Sequence, residues 1–425
     1  MVLHFRYKDF LINIINCLVL SEVMIFPWLG KEIVVGYVLI ALIIVEMLIN
    51  LNYFVNTKTF MCALSVGVIY PCINFIFIGG RYSRVMGNIL RILPTIFILF
   101  HLIYLFNMYY DKIIKNFHYL VAILNIYIMI NIPFIIMQKN GYTELSGYVD
   151  QEYTNKFLPD LISGLFGYNG TPMMAIFVAS LFSINLLYYK RFMKKNKIIF
   201  IIYNIGLFIW NCFVANISEN KGMILFILLF ILCFYCISNL VKVSKKKFTN
   251  YILKIIAITI ILLSIVFILY ITNDSVRIMF NNIISVFSVI NKFEIDSTLG
   301  SAERIAYIIF FFKSNIDKLL GVGLGKYYWT QSGLFGFVHF GQSDFGVFLI
   351  IGGFAFIVLL LILFYKICWC IFKNVECCLF IIFTMILVMI FTQMVTVTSI
   401  SISFGIFIMA CGIDYREDRL NNYIK

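Results

Sequence analysis

Acidic side chains are scarce in this chain: 20 Asp and Glu occur among 425 residues, and charged residues of both signs make up only 12%. A soluble domain of this length needs a polar exterior that such a composition cannot supply. Proline is scarce too, with 6 in all and none after Pro172. Histidine occurs 4 times, and no Asp-x-Asp, His-Glu-x-x-His or phosphate-binding P-loop pattern is present. The common motif-borne metal and nucleotide sites are therefore not expected. The 11 cysteines give no disulfide framework. Cys17, Cys62, Cys72, Cys212, Cys233, Cys236 and Cys411 fall inside apolar runs, while Cys368, Cys370, Cys377 and Cys378 flank a predicted cytoplasmic loop. Cys233 and Cys236 share a helix face and read as packing rather than as metal ligands.

Apolar runs are abundant. The chain is 62% hydrophobic, with a mean hydropathy of +0.99. The runs repeat at about 18 to 22 residues, the length that crosses the hydrocarbon of a bilayer as a helix. They do not alternate as barrel strands would. The chain reads as an all-α polytopic membrane protein. Its formal charge of +13 is concentrated beside these runs, at Lys190, Arg191, Lys194, Lys195 and Lys197 and again at Lys242, Lys245, Lys246 and Lys247. Such clusters mark the cytoplasmic side near anionic lipid, so the expected partner is membrane lipid and not nucleic acid.

About twelve spans are predicted, at 10–29, 32–51, 60–79, 88–106, 117–137, 172–189, 198–216, 223–241, 251–272, 345–365, 378–396 and 400–414, with both termini cytoplasmic. The division is 1–272 for helices one to nine, 273–343 for a large extracytoplasmic loop, and 344–425 for the last three helices and a tail. Two helices are expected in the large loop, over Val276–Ile290 and Ala302–Ile316, both able to lie in the interface plane. A loop of this length with its own helices is more often functional than a linker.

Several residues could carry chemistry. Arg81, Arg84, Arg91, Lys221, Arg277 and Arg304 fall on the predicted outside, against the positive-inside rule. Arginine forks bind phosphate bidentately and could stabilise charge on a leaving group; equally, they could pair with Glu219, Asp274 or lipid headgroups. His339 is the one histidine expected outside. Near Ser343 and Asp344 it could act as a general base or serve as a structural donor, with Asp344 at a helix start. Glu22 and Glu46 are buried carboxylates on spans one and two, readable as proton-coupling groups or, more simply, as interhelical hydrogen-bond partners.

The order of these features resembles a family. A Ser-x-x-Lys-Gly turn at Ser218–Gly222 precedes one span, and a late outer loop carries Arg304, then Gly321, Gly323 and Gly325, then His339 and Asp344. Gly352 and Gly353 follow in the next span. This resembles the O-antigen polymerase and ligase superfamily, the Wzy-type surface-polysaccharide polymerases in particular. Lys221 stands where that family often has Arg, and His339 lies five residues before Asp344 rather than beside it. The resemblance implies a fold like that of GT-C-type glycosyltransferases in a bacterial cytoplasmic membrane. It implies that repeat units linked to undecaprenyl pyrophosphate are joined on the outer face into O-antigen or capsule, without a metal or other cofactor. Arg304, with Arg277, Lys221, Arg81 and Arg84, would hold the pyrophosphate, and Gly323 and Gly325 would allow close backbone approach or make a turn. His339, or Asp344 in its place, would receive the acceptor's proton. A chain-length regulator and a flippase are the implied protein partners. A ligase that passes a finished glycan to another acceptor is one alternative, and a flippase or other transporter for lipid-linked sugars is another.

Overall fold

Backbone N–H and C=O groups in an apolar run have no water to bond, so the runs must pair internally as helices. The computed structural model describes residues 2–49, 57–142, 162–167, 170–193, 195–218, 220, 222–240, 271, 277, 301–327, 335 and 342–423. Among them the protein is all-helical, and eight helices are long and apolar enough to cross a membrane. Three shorter apolar helices, Phe10–Met24, Ile33–Ile49 and Val375–Phe391, lie where the first, second and eleventh spans are expected. The ninth expected span and the helix expected over Val276–Ile290 fall outside the described residues, apart from Ile271 and Arg277, both helical.

In chain order the elements are α1 (Val2–Met24), α2 (Glu32–Ile49), α3 (Thr57–Leu64), a π-helical turn (Ser65–Ile69) and α4 (Tyr70–Ile78). They continue with α5 (Tyr82–Met108), α6 (Tyr110–Lys139), α7 (Thr171–Arg191), α8 (Lys197–Ile217) and α9 (Gly222–Leu240). The last four are α10 (Ser301–Lys313), α11 (Asp344–Phe372), α12 (Val375–Phe391) and α13 (Thr398–Tyr423). α13 is the centre: 94% of its most apolar window is buried, against 22% for α8 at the periphery. Around α13 pack α1, α2, α5, α7, α9 and α11.

One end of α13 is clamped by charge. Lys190 and Arg191, in the last turn of α7, reach Asp414 at 2.6 and 2.8 Å, and both also bond Asp418. Helix α13 runs on to Tyr423, well past the expected end of span twelve, so these acids sit on a helix and not in a free tail. The two cations thus do more than mark orientation, since the buried carboxylates need partners. Arg416 lies 4.0 Å over the Tyr110 ring, and the Tyr110 hydroxyl donates to Glu417 at 2.9 Å.

Helix α11 is broken at Gly353, whose φ of 69° lies in the left-handed region. The segment 318–323 fills the break. Val322 and Gly323 donate to the carbonyls of Ile350 and Ile351 at 2.9 and 3.0 Å, while Phe354 and Ala355 donate to Lys318 and Leu319 at 2.9 and 3.1 Å. The Tyr70 hydroxyl takes the Gly352 carbonyl. The expected outer loop is therefore partly interior, with Gly321, Gly323, Leu324 and Gly325 buried. Irregular backbone is tolerated beside apolar spans where protein satisfies it, as here.

A Cβ at Gly353 would lie 2.2 Å from the Leu319 carbonyl oxygen, whereas one at Gly206 of α8 meets nothing within 4 Å. Gly353→Ala is expected to destabilise by more than about 2 kcal/mol, from left-handed strain plus the clash. Gly206→Ala is expected to be neutral or stabilising by up to about 1 kcal/mol. Thermal unfolding of both variants in detergent checks this, and equal melting temperatures would contradict the break.

Candidate active site

The site is built where α10, α11, α12 and α13 meet. Helix α10 is seated by Tyr307 and Phe311, both fully buried, with Phe311 edge-on to Phe354 at 5.2 Å. Gly346 of α11 makes room, since a Cβ there would lie 2.6 Å from that of Tyr307. Lys318 closes the C-terminal end of α10 by donating to the carbonyls of Phe311 and Ser314. Arg304 stands one turn before Tyr307 and is carried onto the end of α12. Its Nη1 donates to the Phe391 carbonyl at 2.6 Å and its Nη2 to Gln342 Oε1 at 2.9 Å. A guanidinium suits this place, because the last carbonyls of a helix lack partners and carry the negative end of its dipole.

Asp344 begins α11, after Ser343, whose hydroxyl caps the helix by accepting from Gly346 N–H at 3.2 Å. Only 1% of Asp344 is exposed. Its N–H donates to Thr392 at 3.1 Å. Its Oδ1 accepts from the Thr396 hydroxyl at 2.7 Å, and its Oδ2 accepts from the N–H groups of Val395 and Thr396. Residues 392–397 form a buried turn here, so α12 stops at Phe391, short of the expected end of span eleven. The carboxylate holds that turn in shape.

Arg91 of α5 exerts its charge on Asp344 and is half-buried. Helix α5 starts at Tyr82, so Arg84 and Arg91 are helical residues, and with Asn88 and Thr95 they follow one face. Asn88 donates to the carbonyls of Leu324 and Tyr327 at 2.8 and 3.3 Å, and Thr95 accepts from Ser401 at 3.2 Å. At the start of α13, Thr398 donates to Glu22 of α1. The expected interhelical role of Glu22 is thus seen.

The remaining expected site residues divide. Arg81 donates its N–H to the Gly325 carbonyl at 2.7 Å with its side chain exposed, and Arg84 bonds the Lys326 carbonyl. Both therefore stand beside the glycine run. Gly323 and Gly325 face protein: added Cβ atoms would meet Ile78 at 2.7 Å and Phe75 at 2.8 Å. Asn74 accepts from Leu324 N–H and donates to the Leu320 carbonyl, both at 2.7 Å. At both glycines the chain packs tightly on α4. Arg277 is helical and exposed, while His339 and Lys221 lie outside the described residues. Among the described residues no three of His, Cys, Asp and Glu are grouped so that they could hold a metal ion.

Arg91 stood in the sequence as one outer cation among several, and Thr396 and Gln342 carried no signal. The spacing of Arg84, Asn88, Arg91 and Thr95 is the mark that singles out a polar face in an apolar span.

Asp344→Ala removes the acceptor of three donors and is expected to cost several kcal/mol, at about 1–3 kcal/mol per stranded buried group. Asp344→Asn turns an NH2 group towards one of those donors and is expected to cost about 1–3 kcal/mol. Melting temperatures unchanged from the parent in both variants would show that the turn stands without Asp344.

No protein-family model, curated protein or solved structure matches this chain.

Proposed function

We propose that the chain is a membrane glycosyltransferase that takes a sugar donor linked to a lipid pyrophosphate. In this reading it polymerises oligosaccharide repeat units on undecaprenyl pyrophosphate at the outer face of a bacterial cytoplasmic membrane. The observation that carries it is the placing of two arginines from separate helices at one junction at the end of the bundle's central helix. Arg304 bonds Phe391, and Arg91 acts on Asp344, whose N–H bonds the next residue, Thr392. This junction lies at the opposite end of α13 from the lysine clamp at Asp414.

Glycosyl transfer from a pyrophosphate donor breaks the anomeric C–O bond and leaves the lipid diphosphate with one more negative charge than it carried in the donor. Guanidinium groups keep their charge in an apolar setting and bind phosphate oxygens with a planar fork, so they suit the developing charge. Asp344, with both oxygens occupied by the α12–α13 turn, positions the junction. His339, three residues before Gln342 in the chain, takes the proton of the attacking hydroxyl in this reading. A ligase would use the same donor chemistry with another acceptor. The transporter reading is weakened by α11, because the backbone freed by its break is taken up by 318–323 and presents no ends to a substrate.

The test is a product gel from purified protein in nanodiscs, supplied with a lipid-pyrophosphate-linked repeat unit and a chelator. A ladder is expected, slowed about 10²–10³-fold by Arg304→Ala or Arg91→Ala and partly retained by the lysine variants. No ladder with several repeat units, together with passage of lipid-linked sugar across sealed vesicles, would replace the enzyme by the flippase.

A further inference from the structure

The turn between α4 and α5 gathers positive charge. Helix α5 ends at Met108 beside Tyr110, which bonds Glu417 next to the lysine clamp, so its start at Tyr82 lies at the opposite face of the bundle. There the backbones of Gly79–Arg81 and Gly325–Lys326 touch. A Cβ at Gly80 would fall 2.2 Å from the Gly325 carbonyl carbon, and the Arg81 N–H donates to the Gly325 carbonyl at 2.7 Å. This contact brings Arg81, Arg84 and Lys326 together, and Arg84 also donates to the Lys326 carbonyl.

The Arg81 and Lys326 side chains are exposed and Arg84 is half-buried. Among the described residues no salt bridge joins any of the three to a carboxylate. Asp317, the acid nearest to Lys326 in the chain, has its Oδ1 on the N–H groups of Leu319 and Leu320, both at 2.8 Å. Three like charges at the N-terminal end of a helix repel one another and the positive end of its dipole, whereas an anion is attracted by all of them.

The kind of anion follows from the position. The turn joins two apolar segments that are each long enough to cross a membrane, one ending at Ile78 and the other beginning at Tyr82. Ile76 and Phe77, 76% and 74% exposed, face outwards just before it, and Tyr82 is exposed just after it. An outward apolar surface that gives way to cations and a tyrosine marks the level of the lipid headgroups. Arg84 stands two turns, about 10 Å along the axis, from Arg91, so this cluster is separate from the junction at Asp344.

We propose that Arg81, Arg84 and Lys326 bind the phosphate of an anionic phospholipid at this face, the guanidinium groups holding its oxygens and the ammonium adding charge. Arg81 and Arg84 then hold a resident membrane lipid rather than a sugar donor, and the site stands whether or not the chain transfers sugars. The lipid bridges α5 and the segment that completes α11, and so links that joint to the composition of the membrane.

Native mass spectrometry of the whole protein in detergent, titrated with phosphatidylglycerol, reads the site. Affinity is expected to fall about fivefold with each of Arg81→Gln, Arg84→Gln and Lys326→Gln, and about a hundredfold with all three. Should Arg84→Gln fail to fold, the pair Arg81→Gln and Lys326→Gln, both at exposed side chains, still shows the loss. Phosphatidylglycerol affinity unchanged in the pair and in the triple variant would overturn the proposal. So would displacement of the phospholipid by an equal concentration of a prenyl diphosphate, which returns the cations to a lipid-linked donor, or of inorganic phosphate, which leaves only a free-anion site.

Discussion

An apolar helix that breaks must have its freed peptide groups paired by some other part of the same protein. Helix α11 breaks at Gly353, and Lys318–Gly323 supplies the missing partners on both sides of the break. That pairing requires Gly321 and Gly353 to approach closely enough to exclude any side chain, since a Cβ on either would fall 2.7 Å or less from the other's nitrogen. Asn74 and Asn88 then fasten the rest of the segment to α4 and α5. The direction in which α10 leaves, and hence where Arg304 points, follows from this joint.

Helix α13 carries two kinds of polar interior. At one end, four charges cancel in pairs, as buried charges must. At the other, the turn 392–397 is held by one carboxylate and a set of hydroxyl and amide donors, with arginines approaching from α5 and α10. The first arrangement is saturated and mechanical. The second gathers positive charge on a surface that backbone carbonyls and Asp344 keep in place.

The sequence made the class of fold plain because apolar run length directly reflects bilayer thickness. Most helix positions within the described residues followed from the same signal, and α10 overlaps the helix expected over Ala302–Ile316. Rotation about each helix axis was not legible, because a span apolar on every side has no face to distinguish. Only polar residues at helical spacing restore that information, as Arg84, Asn88, Arg91 and Thr95 do on α5. The glycines showed that something must come close, but not what; only the fold identifies it as the backbone of α11 and the end of α4. The partners of Asp344, Glu46 and Arg304 are 30 or more positions away, where a single sequence carries no trace of pairing.

The joint at Gly353 also bears on how such a protein can change. The segment from α10 to Gly325 is not a cassette laid on a finished bundle, for its peptide groups complete a spanning helix and its glycines fit particular atoms of α4. A graft of this segment from a differently shaped protein would leave α11 with unpaired amides and carbonyls in an apolar surround. New specificity at this end has to arise by altering the segment together with α4, α5 and α11, so these pieces diverge as one block.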